Sequence, residues 1–210
     1  MKVALYGATG KSGSRILKEL ISRGHQVIAI ARNPSKAPQP EGSVSVRQDD
    51  LSDPQKIAAA VEGADAVVSA YAPPPDDSDA IVGVTQRQVE ALNPGKKTRL
   101  VVVGGAGGLN VAPGVTLVDS GYLPEAYLPI ARAHVKALDV LKASDSDWTY
   151  LAPAAYFEPG ERTGKFRLGK DELIADAQQQ SRISMEDYAI ALVDELEKPR
   201  HRRQRFSVGY

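Results

Sequence analysis

The sequence predicts an α/β fold: a doubly wound parallel sheet with helices on both faces, ending in a small C-terminal appendage. Three observations carry that prediction. Short apolar runs alternate with segments of helical spacing as far as about residue 153. Most of those runs are continuously apolar, as strands covered on both faces are. A glycine turn, "YGATGKSG" (6–13), separates the first run from the first helical segment.

"KVALY" (2–6) reads as a buried strand that stops at Gly7. "SGSRILKELISRG" (12–24) places Ile16, Leu17, Leu20 and Ile21 at helical spacing and stops at Gly24. "QVIAIA" (26–31) and "VSVRQ" (44–48) are the second and third strands. "DPQKIAAAVEG" (53–63) is a helix capped by Asp53, with Pro54 in its first turn and Gly63 at its end. "ADAVVSAY" (64–71) is a fourth strand, residues 79–92 a helix, and "RLVVVGG" (99–105) a fifth strand. The stretch 124–144 is helical after Pro129, and "DWTYLAP" (147–153) is a sixth strand. Beyond it, "GKFRLG" (164–169) reads as an edge or hairpin strand. "SMEDYAIALVDELEK" (184–198) is an amphipathic helix with Ser184 as N-cap and Asp187 three residues on. "QRFSVGY" (204–210) reads as a last strand. "APQPEG" (37–42) and "APPPDDSD" (72–79) are loops, the second a plain loop or a lid.

A chain of 210 residues, 42% hydrophobic and 25% charged, suits one domain over 1–210. We divide it into a cofactor core at about 1–153 and substrate-side and C-terminal elements at about 154–210. The formal net charge is zero, so no overall field draws the chain to nucleic acid or an anionic membrane. There is no cysteine, which excludes disulfides and thiolate chemistry. Three scattered histidines argue against a metal site. No apolar run reaches the ~18 residues of a membrane span, and the N-terminal run is too short for a signal peptide. The expectation is a cytoplasmic protein that binds neither membrane nor nucleic acid, as a monomer or homodimer. The basic "KPRHRRQR" (198–205) follows the acidic "DELE" and reads as a solvated face.

Gly10-Lys11-Ser12 resembles the end of a triphosphate-binding P-loop. That motif needs a glycine five positions before Gly10, where this chain has Leu5, inside a strand. The spacing Gly7-x-x-Gly10-x-x-Gly13 between strand and helix fits a dinucleotide turn instead. Gly7 permits the tight turn, Gly10 lets the backbone approach a pyrophosphate, and Gly13 lets the helix pack close. The helix N-terminus then offers N–H groups and its dipole to the phosphates. Thr9, Lys11 and Ser12 can add side-chain contacts. The bland alternative is an ordinary glycine turn.

The end of the second strand selects the cofactor. NAD-preferring sites carry Asp or Glu about 20 residues past the glycines. Here Arg32 stands there, and its guanidinium suits the 2′-phosphate of NADP. NADPH is therefore expected over NADH; otherwise Arg32 is a solvated surface residue. Asp50, after the third strand, can accept from the adenine amino group, although acidic residues are common in turns.

With residues 6–13, Arg32, "DDLSD" and "SAYAP" placed, the chain resembles the atypical short-chain dehydrogenase superfamily. It is most similar to the small NAD(P)-binding NADH-flavin reductase-like proteins, relatives of biliverdin reductase B and of NmrA-type proteins. "DWTYLAPAAYFEPGERTGKFRLGKDEL" and "SRISMEDYAIALVDELEKPRHRRQRFSVGY" look like signatures of that subfamily. The resemblance covers nearly the whole chain. It implies a Rossmann-like core with NADP across the C-terminal strand ends. Gly7, Thr9, Gly10, Lys11, Ser12 and Gly13 would hold the pyrophosphate, and Arg32 the 2′-phosphate. Asp50 with Leu51 would meet the adenine, and Ser69, Ala70 and Tyr71 the ribose. Gly104 and Gly105 would border the nicotinamide ribose. Pro153, Ala154, Ala155 and Tyr156 would lie beside the nicotinamide.

One departure matters. No tyrosine here has Lys four residues on, so the Tyr-x-x-x-Lys apparatus of the better-known relatives is missing. The resemblance also places His134 on the substrate side and Ala106 where biliverdin reductase B has an active-site serine. His134 is the candidate catalytic acid, with an unperturbed pKa near ~6.5. Its spacing with Leu138 and Leu141 equally suits packing against the core. A flavin or quinone-like flat acceptor needs little from side chains beyond stacking near the nicotinamide and exclusion of water. Tyr122, Tyr127 and Tyr156 could stack such a ring or serve as hydrophobic cover. The expected function is an NADPH-dependent reductase of a flat small molecule; the alternative is a non-catalytic NADP(H) sensor of NmrA type.

Overall fold

A computed structural model describes residues 1–37, 42–92 and 98–210. The "APQPEG" loop falls mostly outside them. In chain order the elements are β1 (Lys2–Tyr6), α1 (Lys11–Ser22), β2 (Gln26–Ala31), β3 (Val44–Gln48), α2 (Pro54–Ala60) and β4 (Ala66–Ser69). There follow α3 (Ala80–Ala91), β5 (Arg99–Val103), β6 (Asn110–Ala112), β7 (Val115–Thr116), α4 (Leu128–Lys142) and β8 (Trp148–Ala152). The chain ends in β9 (Tyr156–Glu158), β10 (Arg167–Gly169), β11 (Arg182–Ser184), α5 (Met185–Glu197) and β12 (Gln204–Gly209).

The main sheet has the order β10-β12-β8-β5-β4-β1-β2-β3. All its neighbours are parallel except β10, which runs antiparallel to β12 at one edge. This is the predicted Rossmann-like α/β fold. Strand order reverses between β1 and β4, and a crevice opens at such a switch point, at the C-terminal strand ends.

Alternate residues of each strand enter two separate cores. Val3, Leu5, Val68, Val101 and Leu151 pack with Ile16, Leu17 and Leu20 of α1 and with Tyr188, Leu192 and Leu196 of α5. Ala4, Tyr6, Val67, Val102 and Tyr150 pack on the other face with Ile57 of α2, Val84 of α3, and Leu138 and Leu141 of α4. Burial on both faces is why these strands read as unbroken apolar runs.

Several elements differ from the sequence reading. The fourth helix begins at Leu128, one residue before Pro129, which sits in its first turn where a missing N–H costs nothing. The last helix exposes only a narrow polar face, at Glu186, Asp194 and Glu197. Ten of its thirteen residues are buried, Asp187 and Glu195 among them, because α1 packs on one side and the 158–165 segment on another. Ser184 does cap it, accepting from the Asp187 N–H at 3.0 Å. The Asp187 carboxylate turns instead to the Thr163 hydroxyl (2.5 Å), the Gly164 N–H (2.8 Å) and the Tyr210 hydroxyl (2.8 Å).

The acidic "DELE" is likewise not wholly solvent-facing. Glu195 is buried, paired with Arg99 and with His201 Nδ1 at 2.8 Å. In the basic stretch, Arg202, Arg203 and Arg205 are paired with Asp147, Asp145 and Asp171. Two small pairs of strands escaped the sequence reading: the hairpin β6–β7 and the parallel pair β9–β11. At two or three residues each, they show no usable periodicity. No helix among the described residues is long and apolar enough to cross a membrane.

Candidate functional site

The turn after β1 is built by glycine at each position the spacing singled out. Gly7 has φ +76°, and a Cβ there would lie 2.8 Å from the Ala70 carbonyl carbon. The turns leaving β1 and β4 therefore touch, at the switch point. A Cβ on Gly13 would lie 2.7 Å from the Gly7 carbonyl carbon, so the first turn of α1 rests on the glycine turn itself. Gly10 caps α1 without a side-chain bond, and its N–H donates to the Gly7 carbonyl at 2.9 Å. A Cβ on Gly10 would meet only the Gly7 oxygen, at 3.2 Å.

The first N–H groups of α1 have no capping side chain, and its first turn holds no acidic residue. Thr9, Gly10 and Lys11 are exposed and Ser12 half-buried above this end. A bare helix N-terminus over a cradle that side chains would fill is suited to a pyrophosphate.

Arg32 is exposed at the end of β2, with its carbonyl taken by Gln48 at 3.2 Å. Its side chain has no ion-pair or hydrogen-bond partner among the described residues. At the end of β3 the two aspartates divide. Asp50 is exposed and folds onto its own turn, accepting from the Ser52 N–H (3.0 Å) and hydroxyl (2.5 Å). Those bonds hold its carboxyl below the usual carboxylate range. Asp49 is buried: Oδ2 accepts from the Tyr6 hydroxyl at 2.8 Å, and Oδ1 has no partner among the described residues. Burial, then the bond and charge of Asp49, push the Tyr6 phenol far up, so it stays a donor.

Leu51 is a buried residue in the left-handed region, φ +63°. Its carbonyl accepts from Arg87 Nε of α3 at 2.6 Å. Its N–H carries no hydrogen bond among the described residues. Ser69 and Ala70 are buried, and the Ala70 N–H continues the β1 pairing to the Tyr6 carbonyl at 3.1 Å. Tyr71 is half-buried and lies in the fields of Arg32 and Arg87.

After β5, Gly104 and Gly105 are again places where a side chain has no room. A Cβ on Gly104 would come 2.8 Å from the Leu151 oxygen, and one on Gly105 2.8 Å from His134 Cγ. The Gly105 N–H donates to the Tyr150 hydroxyl at 2.8 Å. That hydroxyl lies 3.3 Å from His134 Nδ1. If it donates there, the imidazole proton sits on Nε2. Burial lowers the His134 pKa to about 4, so the ring is neutral near pH 7. His134 thus lies beside Gly105, with its ring edge-on to Tyr150. Burial raises the Tyr150 phenol, against a smaller opposing effect of the Gly105 bond.

Beyond β8, Pro153 and Ala154 are buried. The Ala155 N–H donates to the Ser181 hydroxyl at 3.1 Å and the Tyr156 N–H to the Ser181 carbonyl at 2.9 Å. Tyr156 opens β9 and is 68% exposed, and Tyr122 and Tyr127 are also exposed, at 78% and 60%. None of the three tyrosines is part of either core. Ala106 is half-buried against the second core.

The sequence reading missed Tyr150, Asp49 and Arg87. Tyr150 was legible in principle: on β8 it shares a face with Trp148 and Ala152, beside Gly104, which leaves it room. Asp49 and Arg87 gave no local signal, since their partners are 43 and 36 residues away.

The chain matches the model of the family described as NAD(P)H-binding over residues 7–199. YwnB of Bacillus subtilis, an uncharacterized protein, is 43% identical over 212 residues, covering 99% of this chain and 98% of its own. A solved structure from Burkholderia pseudomallei, provisionally called an exported protein, is 47% identical, with TM-score 0.90 and full coverage of both chains. One from Streptococcus pneumoniae, provisionally called an NADH-flavin reductase, is 36% identical, with TM-score 0.90, covering 100% of this chain and 99% of the other. The glycine cradle, the open helix end and the family match over nearly the whole length agree: this chain belongs to the NAD(P)H-binding family.

Proposed function

We propose that the protein is an NADPH-dependent reductase of a flavin or another flat, quinone-like acceptor. The observation that carries this reading is the character of the nicotinamide end. It offers glycine backbone at 104 and 105, a neutral imidazole at 134 and a phenol at 150 held in its neutral form. It lacks a Tyr-x-x-x-Lys pair. Such a surface does little acid–base work, and flat redox acceptors ask for little. The bound dinucleotide would supply the hydride. The protein's part is to fix the pyrophosphate with residues 7 and 9–13, and to hold the adenosine with Arg32, Asp50 and Leu51. Ser69, Ala70 and Tyr71 would border the ribose, and residues 153–156 would back the nicotinamide. The exposed rings of Tyr122, Tyr127 and Tyr156 would cover the acceptor. A neutral His134 would hydrogen-bond the acceptor through Nε2 rather than act as an imidazolium acid. The 36% identical Streptococcus pneumoniae protein, by its name, supports the same class of acceptor.

The test is anaerobic oxidation of NADPH by FMN, riboflavin and a small quinone, with NADH in parallel. Turnover with NADPH and a flat acceptor is the expected result. Tight NADPH binding with no turnover on any acceptor would overturn the reductase reading in favour of a dinucleotide sensor.

A further inference from the structure

We infer that Arg87 is a positioning residue of the adenosine subsite: it holds the turn after β3 in the shape that presents the free Leu51 N–H to the adenine ring. The inference rests on the dinucleotide reading of that turn. Leu51 sits at φ +63°, a conformation that L side chains rarely hold without support. It is 5% exposed, so solvent does not satisfy its carbonyl freely. The support is a single charged donor from another element, Arg87 Nε of α3, at 2.6 Å. Charge-assisted bonds of this kind are stronger and more directional than neutral ones.

The guanidinium lies alongside Gly83, where a Cβ would come within 3.2 Å of Nη1. A glycine one turn earlier on α3 thus leaves the side chain its path. Arg87 has no carboxylate partner among the described residues, unlike Arg202, Arg203 and Arg205. Its charge is felt at Tyr71 together with that of Arg32, so both guanidiniums lie near the ribose-side tyrosine. The two have separate tasks. Arg32 stands free at the end of β2, where a 2′-phosphate would lie. Arg87 is committed through Nε to the backbone under the adenine. Adenine is common to NADH and NADPH, so the loss of Arg87 weakens both alike.

The experiment titrates full-length wild type, Arg87→Met and Arg87→Lys with NADPH and NADH, and with reduced nicotinamide mononucleotide, which lacks the adenosine. Arg87→Met is expected to bind NADPH and NADH each about tenfold more weakly. Its affinity for the mononucleotide should be unchanged. Arg87→Lys, which keeps a charged donor, should stay within about threefold of wild type. Wild-type affinity in Arg87→Met would overturn the inference alone. A loss confined to NADPH would also overturn it, by placing the guanidinium on the 2′-phosphate. An equal loss with the mononucleotide would point to damage of the whole fold and overturn it too. Failure of the wild type to bind any of the three would sink the dinucleotide site itself.

Discussion

Replacing Gly13 by alanine should damage the fold, whereas replacing Gly10 should damage binding. At position 13 the new methyl would stand 2.7 Å from the Gly7 carbonyl carbon and nearer still to its oxygen. Ordinary carbon contacts lie at about 3.5–4.0 Å, so α1 or the glycine turn must move by about 1 Å. Both are backbone, and neither can rotate aside. Overpacking of this kind costs about 3 kcal/mol, and the better helix propensity of alanine returns about 1 kcal/mol. The net loss is about 2 kcal/mol. With a urea slope of about 2 kcal/mol/M, the unfolding midpoint falls by about 1 M. At position 10 the methyl meets only the Gly7 oxygen, at 3.2 Å, and a shift of a few tenths of an ångström relieves it. The cost to the fold is about 0.5 kcal/mol, that of an alanine N-cap. The methyl would instead stand over the open helix end, and NADPH affinity should fall at least about tenfold. Urea unfolding and NADPH titration of the two variants measure both effects. Wild-type midpoint in Gly13→Ala would refute the packing argument. Wild-type affinity in Gly10→Ala would refute the placement of the pyrophosphate.

Two further predictions bear on the ends of the crevice. Arg32→Ala should weaken NADPH binding much more than NADH binding; equal effects in parallel titrations would refute the assignment of the 2′-phosphate. His134 has a folded pKa of about 4 against about 6.5 unfolded, so the unfolded chain binds the extra proton first and stability falls as pH drops from about 6.5 to 4. At pH 5 this contributes a loss of about 2 kcal/mol, which His134→Gln should not show. Urea midpoints at pH 7 and pH 5 check this, and an identical pH dependence in both proteins would count against a buried neutral ring.

What the sequence made legible was whatever depends on neighbours along the chain. Unbroken apolar runs reported strands covered on both faces, and three glycines at fixed spacing reported a turn whose clashes involve Gly7, Gly13 and the strand next door. The Ser184 cap was readable because cap and N–H are three residues apart. Burial along α5 is set by partners far away in sequence: Asp187, three residues past the cap, is enclosed by Thr163, Gly164 and Tyr210. Glu195 is the same case, its charge matched by Arg99 at a separation of 96 residues. The short strands 110–116 and 156–158 are held by pairing partners and not by their own composition.

The same distinction runs through the site. The proposed cofactor half draws mostly on residues legible along the chain: the glycine turn, Arg32 at a strand end, Asp50 and Leu51, the last held also by Arg87 of α3. The proposed acceptor half depends on Tyr150 meeting both Gly105 and His134, contacts spanning 45 and 16 residues. Those contacts remove titratable chemistry rather than supply it. The Tyr150 hydroxyl is held by Gly105, and the imidazole is kept neutral by burial. In the proposed reductase, such a site would gain rate chiefly by holding two flat groups at reacting distance and keeping water away. Its choice of acceptor would then be set by shape at the exposed tyrosines 122, 127 and 156. Substitutions there should change which acceptor is reduced while leaving dinucleotide affinity alone.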